Sequence, residues 1–219
     1  MKAKKVIAVC MPLHDGKLCW ETWFQFREEE RLFDMLNLPW RLDPIVVAGC
    51  SLITRARNEA VANALDRGAD AIMWIDGDMN WTGGAIARLL AMDVDMIGAA
   101  CPLKQPEIKW NVDWLAGPDA ATPDDKGRIE VKSVGTGFLF TRRRVYEIMR
   151  ERTPESPENV YDRPDGLGRG FAYFSAPGSW GEDTYFCKQW RDLGGKVFVD
   201  PAITMQHVIA PSWSVKACL

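Results

Sequence analysis

Through its first hundred residues the chain alternates apolar runs of strand length with helical patterns, and this alternation restricts its fold more than any other feature. Lys5 to Cys10 reads as a strand, Trp20 to Leu36 as an amphipathic helix carrying Glu28-Glu29-Glu30, and Ile45-Val46-Val47 as a second strand. Thr54 to Arg67 follows as a helix in which Ala60, Val61, Ala64 and Leu65 form one apolar stripe, with Gly68 placed as its C-terminal cap. Ala69 to Ile75 is a further strand, Thr82 is the expected N-cap of a helix through Met92, and Val94 to Ala99 is the next strand. Strand and helix in strict turn imply an α/β fold with a largely parallel sheet covered on both faces.

The second half is less regular. Pro102 to Lys132, rich in Pro, Gly and Asp, is expected to hold an irregular excursion or a β-ribbon. Gly137 to Phe140 reads as a strand running into a helix from Thr141 to Glu151, and Thr153 to Ser179 as a long loop of the kind that is usually functional or mobile. A helix from Glu182 to Leu193, a turn at Gly194-Gly195, a strand from Lys196 to Val199 and an extended piece ending at His207 complete the pattern. No internal repeat or linker divides the 219 residues, so one domain is expected, burying roughly 70% of the surface of its unfolded chain.

Composition narrows the function. A net charge of −3 supplies no field for polyanions, which argues against non-specific nucleic-acid binding. Six scattered cysteines without a C-x-x-C pair suggest neither a zinc knuckle nor a disulfide framework, and fit reduced thiols in a cytoplasm. The basic start Met1 to Lys5 and the apolar run Val6 to Leu13 mimic a secretory signal, but Pro12 and the absence of a small-residue cleavage site favour a first strand. No stretch approaches the about 18 consecutive apolar residues of a membrane span.

The strongest chemical signal is Asp76-Gly77-Asp78, delivered by the apolar run Ala71 to Ile75. Open α/β sheets bind ligands beyond the carboxyl ends of their strands, and alternate residues of an extended segment point the same way. Two hard carboxylates facing one spot suit Mn²⁺ or Mg²⁺ held jointly with phosphates, although acids in the turn after a strand are common without any metal. Trp180-Gly181-Glu182-Asp183 sets two acids in the first turn of a helix, where amide groups stabilise a carboxylate; a simple helix start looks the same. His207, one of two histidines, is a borderline ligand able to complete a shell begun by the aspartates, or a structural residue.

Arg55-Ala56-Arg57-Asn58 opens a helix with cations that oppose its dipole, a cost an anion nearby would offset. The glycines of Gly135-Thr136-Gly137-Phe138 permit close backbone approach to a ligand, or serve a turn. Of the ten tryptophans, Trp110, Trp114 and Trp180 fall in expected loops where they could stack on sugar rings, whereas Trp74 and Trp190 read as core.

Taken in order, a first strand, an R-N helix, D-x-D, G-x-G-F, W-G-E-D and a late histidine resemble the GT-A glycosyltransferases across nearly the whole chain. Thr54 to Asp78 is similar to the stretch leading into the D-x-D of family 2 enzymes and of β-1,4-galactosyltransferases, Trp180 to Asp183 to the W-G-G-E-D block of the latter, and Met205-Gln206-His207 to their metal-binding segment. This chain has one glycine where the galactosyltransferases have two, and a short M-x-H. The resemblance implies a GT-A (nucleotide-diphospho-sugar transferase) fold, a single Rossmann-like mixed sheet flanked by helices over residues 1–219. It implies a UDP-sugar donor, Mn²⁺ or Mg²⁺ held by Asp78 and His207 with Asp76 near the metal shell or ribose, and Asp183 as general base with Glu182 on the acceptor. Pro12, Arg55, Arg57, Asn58, Asp76 and Gly77 would bind donor, and Gly135, Gly137, Trp180 and Gly181 acceptor. A compact cytoplasmic form resembles family 2-like enzymes of bacteria and phages.

A haloacid-dehalogenase phosphatase would want Thr or Val where Asn80 stands, and a sugar-1-phosphate nucleotidyltransferase a glycine-rich basic loop in place of Met11 to His14. A non-catalytic glycan- or nucleotide-binding module has no need of a base such as Asp183. The acceptor stays open among a saccharide, a protein hydroxyl and a modified base of phage DNA. Only the arginines Arg142, Arg143, Arg144, Arg150 and Arg152 favour the DNA base, and a solvated helix face is the better account of them.

Overall fold

The computed structural model describes residues 3–105, 107, 109–117 and 121–208. Strand β1 (Lys5–Leu13) pairs in parallel with β2 (Trp40–Ala48) along its full length, from Lys5 opposite Trp40 to Leu13 opposite Ala48, and on its other edge with β3 (Ala71–Ile75). All five residues of β3 are buried, as a continuous apolar run in the interior of a parallel sheet must be. The period of two sorts β1 between two cores: Ala8 and Cys10 join one, Ile7, Val9 and Met11 the other. Helices α2 (Ile53–Asp66), α4 (Arg143–Arg152) and α5 (Glu182–Asp192) cover the first face, and α1 (Trp20–Met35) and α3 (Ala85–Ala91) the second. Trp74 and Trp190 are both buried in the first core.

The eight-stranded sheet runs in the order β2-β1-β3-β8-β5-β11-β7-β6, completed by β5 (Met96–Gly98), β6 (Val112–Trp114), β7 (Ile129–Val134), β8 (Phe138–Arg142) and β11 (Val197–Val199). It is mixed rather than largely parallel. β8 lies antiparallel between β3 and β5, and β7 and β6 add an antiparallel edge beyond β11. Apolar run length reports burial but not strand direction, so the alternation of elements could not reveal the reversal. β6 and β7 are the ribbon expected between Pro102 and Lys132, and Trp114 lies in a strand against the first core instead of in a loop.

Two further departures have local causes. Thr82 does not cap α3: its hydroxyl bonds the Thr204 backbone at 3.1 and 3.4 Å, and Gly84, at φ +81°, takes the cap position. Thr141 belongs to β8, with its hydroxyl on Ile72 O at 3.2 Å, so α4 starts at Arg143. The long segment from Thr153 contains an antiparallel pair, β9 (Val160–Asp162) with β10 (Arg169–Phe171), fastened by Arg163 to Asp66 and Asp165 at 2.6 Å each. A second small sheet joins β4 (Met79–Trp81) to β12 (Met205–His207), setting His207 opposite Met79.

Inside the second core Glu29 is 1% exposed, accepts from Trp81 Nε1 at 3.2 Å through one carboxyl oxygen while the other is buried with no hydrogen-bond partner among the described residues, and has its carboxyl pushed above the usual range by burial. No helix among the described residues is long and apolar enough to cross a membrane.

Candidate functional site

A cleft of about 1210 Å³ opens beyond the carboxyl ends of β1, β2 and β3, between α1, α2 and the start of α5. Its floor is the loop Asp76-Gly77-Asp78, which is tied down from four directions. Asp76 N donates to Gly137 O at 3.1 Å, Cys19 N to Gly77 O at 2.8 Å, and Val208 N to Asp78 O at 2.7 Å. The Thr22 hydroxyl meets both Gly77 O at 3.1 Å and Met79 O at 2.7 Å. A side chain at position 77 would press within 2.5 Å of Leu13 and 3.3 Å of the Lys17 carbonyl, so glycine is what lets the loop lie against β1. One at Gly137 would come within 3.2 Å of the Asp76 carboxylate.

Charge in the cleft is organised around Arg57. It occupies the apolar stripe of α2 with Ala60, Val61 and Ala64, is 3% exposed, and stacks its guanidinium over Trp74 and Phe174 at 5.3 and 5.9 Å. Its Nη2 donates to Asp76 at 3.1 Å and its Nε to Glu182 at 3.4 Å, bridging β3 to α5, while Nη1 is buried with no hydrogen-bond partner among the described residues. Asp78 pairs with Lys104, which reaches over the cleft from the segment after β5. His207 Nδ1 lies 2.6 Å from the Pro102 carbonyl. A carbonyl only accepts, so Nδ1 is the donor, and in the neutral ring Nε2 keeps its lone pair.

Asp183 faces a different neighbour. Its Oδ1 accepts from Thr184 N at 2.7 Å and its Oδ2 from Asn111 Nδ2 at 3.3 Å, so its orientation is set by uncharged donors. Asn111 reaches it across Gly135, where an added Cβ would stand 1.8 Å from the amide nitrogen. Gly181 is the N-cap of α5, and its carbonyl accepts from the Thr184 hydroxyl at 3.0 Å. Trp180 is 45% exposed beside Tyr185, and Trp110 is exposed to the same degree.

Pro12, Arg57, Asp76, Gly77, Asp78, Glu182 and His207 thus line one cleft. Arg55 and Asn58 do not, because successive helix positions are turned about 100° apart. Arg55 pairs with Glu59 at 2.9 Å on the outside of α2. Asn58 is buried, with its amide clasping Phe174 O and N at 2.8 and 2.9 Å, and so fixes the chain ahead of α5. Both instead line a separate hollow with Tyr161 and Phe174. Lys104 and His14 line the cleft without having been singled out; His14 Nδ1 lies 3.3 Å from Cys50 O.

Four of the five arginines singled out are paired, and Arg152 is exposed without an ion pair among the described residues. Arg142 pairs with Asp93 at 2.7 Å, Arg143 with Glu147 at 2.7 Å, Arg144 with Asp95, and Arg150 with Glu155 at 3.5 Å. As for metals, among the described residues no three His, Cys, Asp or Glu side chains gather closely enough to hold an ion unaided. Asp78 and the free Nε2 of His207 supply two donors of suitable chemistry on the same side of the cleft, leaving further positions for ligand oxygens.

No protein-family model matches the chain, and no curated protein does. Solved structures do. A197 from STIV is similar over 94% of this chain and 86% of its own, at 13% identity and a TM-score of 0.57. GalNAc-T7, solved with UDP, GalNAc and Mn²⁺, aligns with 96% of this chain and 45% of its own at 12% identity and a TM-score of 0.49. TarS of S. aureus, solved with UDP-GlcNAc, aligns with 89% and 55% at 10% identity and a TM-score of 0.46. At these identities the likeness speaks for fold alone, an α/β fold built on a large mixed sheet flanked by helices.

Proposed function

We propose that the protein is a glycosyltransferase that moves a sugar from a nucleoside-diphosphate donor, a UDP-sugar on the motif resemblance, to an acceptor hydroxyl. The observation that carries this reading is the convergence of Asp76, Asp78, His207 and Arg57 on one cleft at the carboxyl ends of the parallel strands. A binding module would account for the cleft but does not call for the ordered carboxylate of Asp183, one residue beyond the cleft-lining Glu182.

Mn²⁺ or Mg²⁺ would be held by Asp78 and His207, with Asp76 close by, and would neutralise charge on the departing diphosphate. Arg57 keeps Asp76 and Glu182 in fixed relation. Because Glu182 is engaged with that guanidinium while Asp183 is held only by neutral amides, Asp183 is the carboxylate assigned to proton removal. The acceptor oxygen forms a bond to the anomeric carbon as the bond from that carbon to the diphosphate oxygen breaks. The electron pair leaves with the nucleoside diphosphate, the acceptor proton passes to Asp183, and the configuration inverts. Gly135, Gly137, Trp180 and Gly181 belong to the acceptor side of this reading, with Trp180 offering an exposed ring.

The decisive experiment measures release of nucleoside diphosphate, and separately of pyrophosphate, from a panel of UDP-, GDP- and TDP-sugars with Mn²⁺ or with chelator. Chelator-sensitive diphosphate release from one donor is expected; pyrophosphate release would instead identify a nucleotidyltransferase. Asp78→Ala should abolish the release, and undiminished release would overturn the metal assignment. Asp183→Asn should retain donor binding but lose about 10²- to 10⁴-fold in transfer; normal transfer would remove its role as base.

A further inference from the structure

The two aspartates of the loop do not meet an incoming cation on equal terms. Each is already paired with a cationic side chain, Asp76 with Arg57 and Asp78 with Lys104. The partner of Asp76 cannot leave: Arg57 is 3% exposed, stacked over Trp74 and Phe174, and also committed to Glu182. The partner of Asp78 can. The Lys104 side chain is 55% exposed and spans the mouth of the cleft on a flexible stem.

The backbone beneath Lys104 is nevertheless fixed. Leu103 N donates to Lys109 O at 2.7 Å, Pro102 bridges to Trp110, and Asn111 N donates to Cys101 O at 2.8 Å. The Pro102 carbonyl is the one that orients His207. The same short stub therefore presents an ammonium to Asp78 and turns the imidazole of His207, so that the ammonium stands beside the donor set assigned to the metal.

From this arrangement we infer that Lys104 is an exchangeable counter-ion: it holds Asp78 while the cleft is empty and passes to the donor diphosphate when the nucleotide arrives, releasing Asp78 to the divalent cation. The inference rests on the donor and metal reading given above. A divalent ion arriving alone must displace the ammonium without offering it another anion, whereas a nucleoside diphosphate brings the replacement with it. Cation and nucleotide therefore bind cooperatively, each raising the affinity for the other by the same factor. Lys104 acts as a positioning residue toward the cation and as a direct contact toward the diphosphate.

Mn²⁺ binding, followed by the electron-spin-resonance signal of the free ion at fixed ionic strength, tests this with UDP present and absent. Wild type should bind Mn²⁺ weakly alone and more tightly with UDP. Lys104→Met should bind Mn²⁺ without nucleotide about three- to fivefold more tightly than wild type, the range an exposed ion pair commands, and should show a smaller gain on adding UDP. Lys104→Arg, which keeps the charge, should behave like wild type and controls for damage to the segment. Equal nucleotide-free Mn²⁺ affinity in wild type and Lys104→Met, with UDP and Mn²⁺ still binding together, would overturn the exchange and leave the donor site standing. Failure of wild type to take up UDP with Mn²⁺ would overturn both.

Discussion

Replacing Arg57 by methionine removes the guanidinium that joins the aspartate loop to the start of α5. Methionine keeps an unbranched stem between Trp74 and Phe174 but strands two carboxylates that faced each other across the guanidinium. Cutting one partner out of a buried ion pair costs about 3–5 kcal/mol. Here Asp76 and Glu182 retain side-chain exposures of 35% and 20%, so water recovers part of the loss. A destabilisation of about 2–3 kcal/mol follows, or about 5–10 °C in Tm for a domain of this size. Calorimetric melting of Arg57→Met, Glu182→Gln and the double variant is the assay. Because Glu182→Gln removes one stranded charge, the double variant should be less damaged than the sum of the singles by about 1 kcal/mol or more. A single variant within 0.5 kcal/mol of wild type, or strict additivity, would refute the bridge as a stabilising element.

Gly135→Ala should push the Asn111 amide off Asp183, since its Cβ would stand 1.8 Å from the amide nitrogen. Transfer to acceptor is expected to fall about 100-fold, the cost of roughly an ångström of misplacement, with UDP affinity unchanged by calorimetry. Glu29 gives a pH test. Its folded carboxyl is raised by burial, so its contribution to stability is full at low pH and is lost as pH rises through and above the ordinary glutamate range. Glu29→Gln escapes that loss, and its Tm relative to wild type should therefore climb between pH 4 and pH 7.5; a pH-independent difference would contradict the burial argument.

Much of the fold was legible because burial leaves a period. β3 announced itself as an unbroken apolar run, and α2 as a stripe closed by Gly68, which takes φ +72°. What could not be read was direction and pairing: nothing local to Phe138–Arg142 records that it lies antiparallel between β3 and β5. In the site, Arg57 carried a usable signal, a charged residue in register with Ala60, Val61 and Ala64, and the same register sets Arg55 outside the stripe, whereas Asn58 is buried like the stripe and its turn toward Phe174 could not be read from spacing. Lys104 carried none. It sits in a segment of Pro, Gly and Asp without periodicity, and its place opposite Asp78 comes from backbone contacts at Cys101, Pro102 and Leu103.

Because β12 pairs with β4 in a separate sheet of three-residue strands, the placement of His207 does not share the cooperativity of the eight-stranded sheet. So short a pair, joined across a long stretch of chain, opens at a smaller free energy than the body of the protein. Heating should therefore release His207 from the cleft while the main sheet is still intact. During synthesis β1, β2 and β3, whose ends frame the cleft, emerge well before residue 207 arrives to pair with β4.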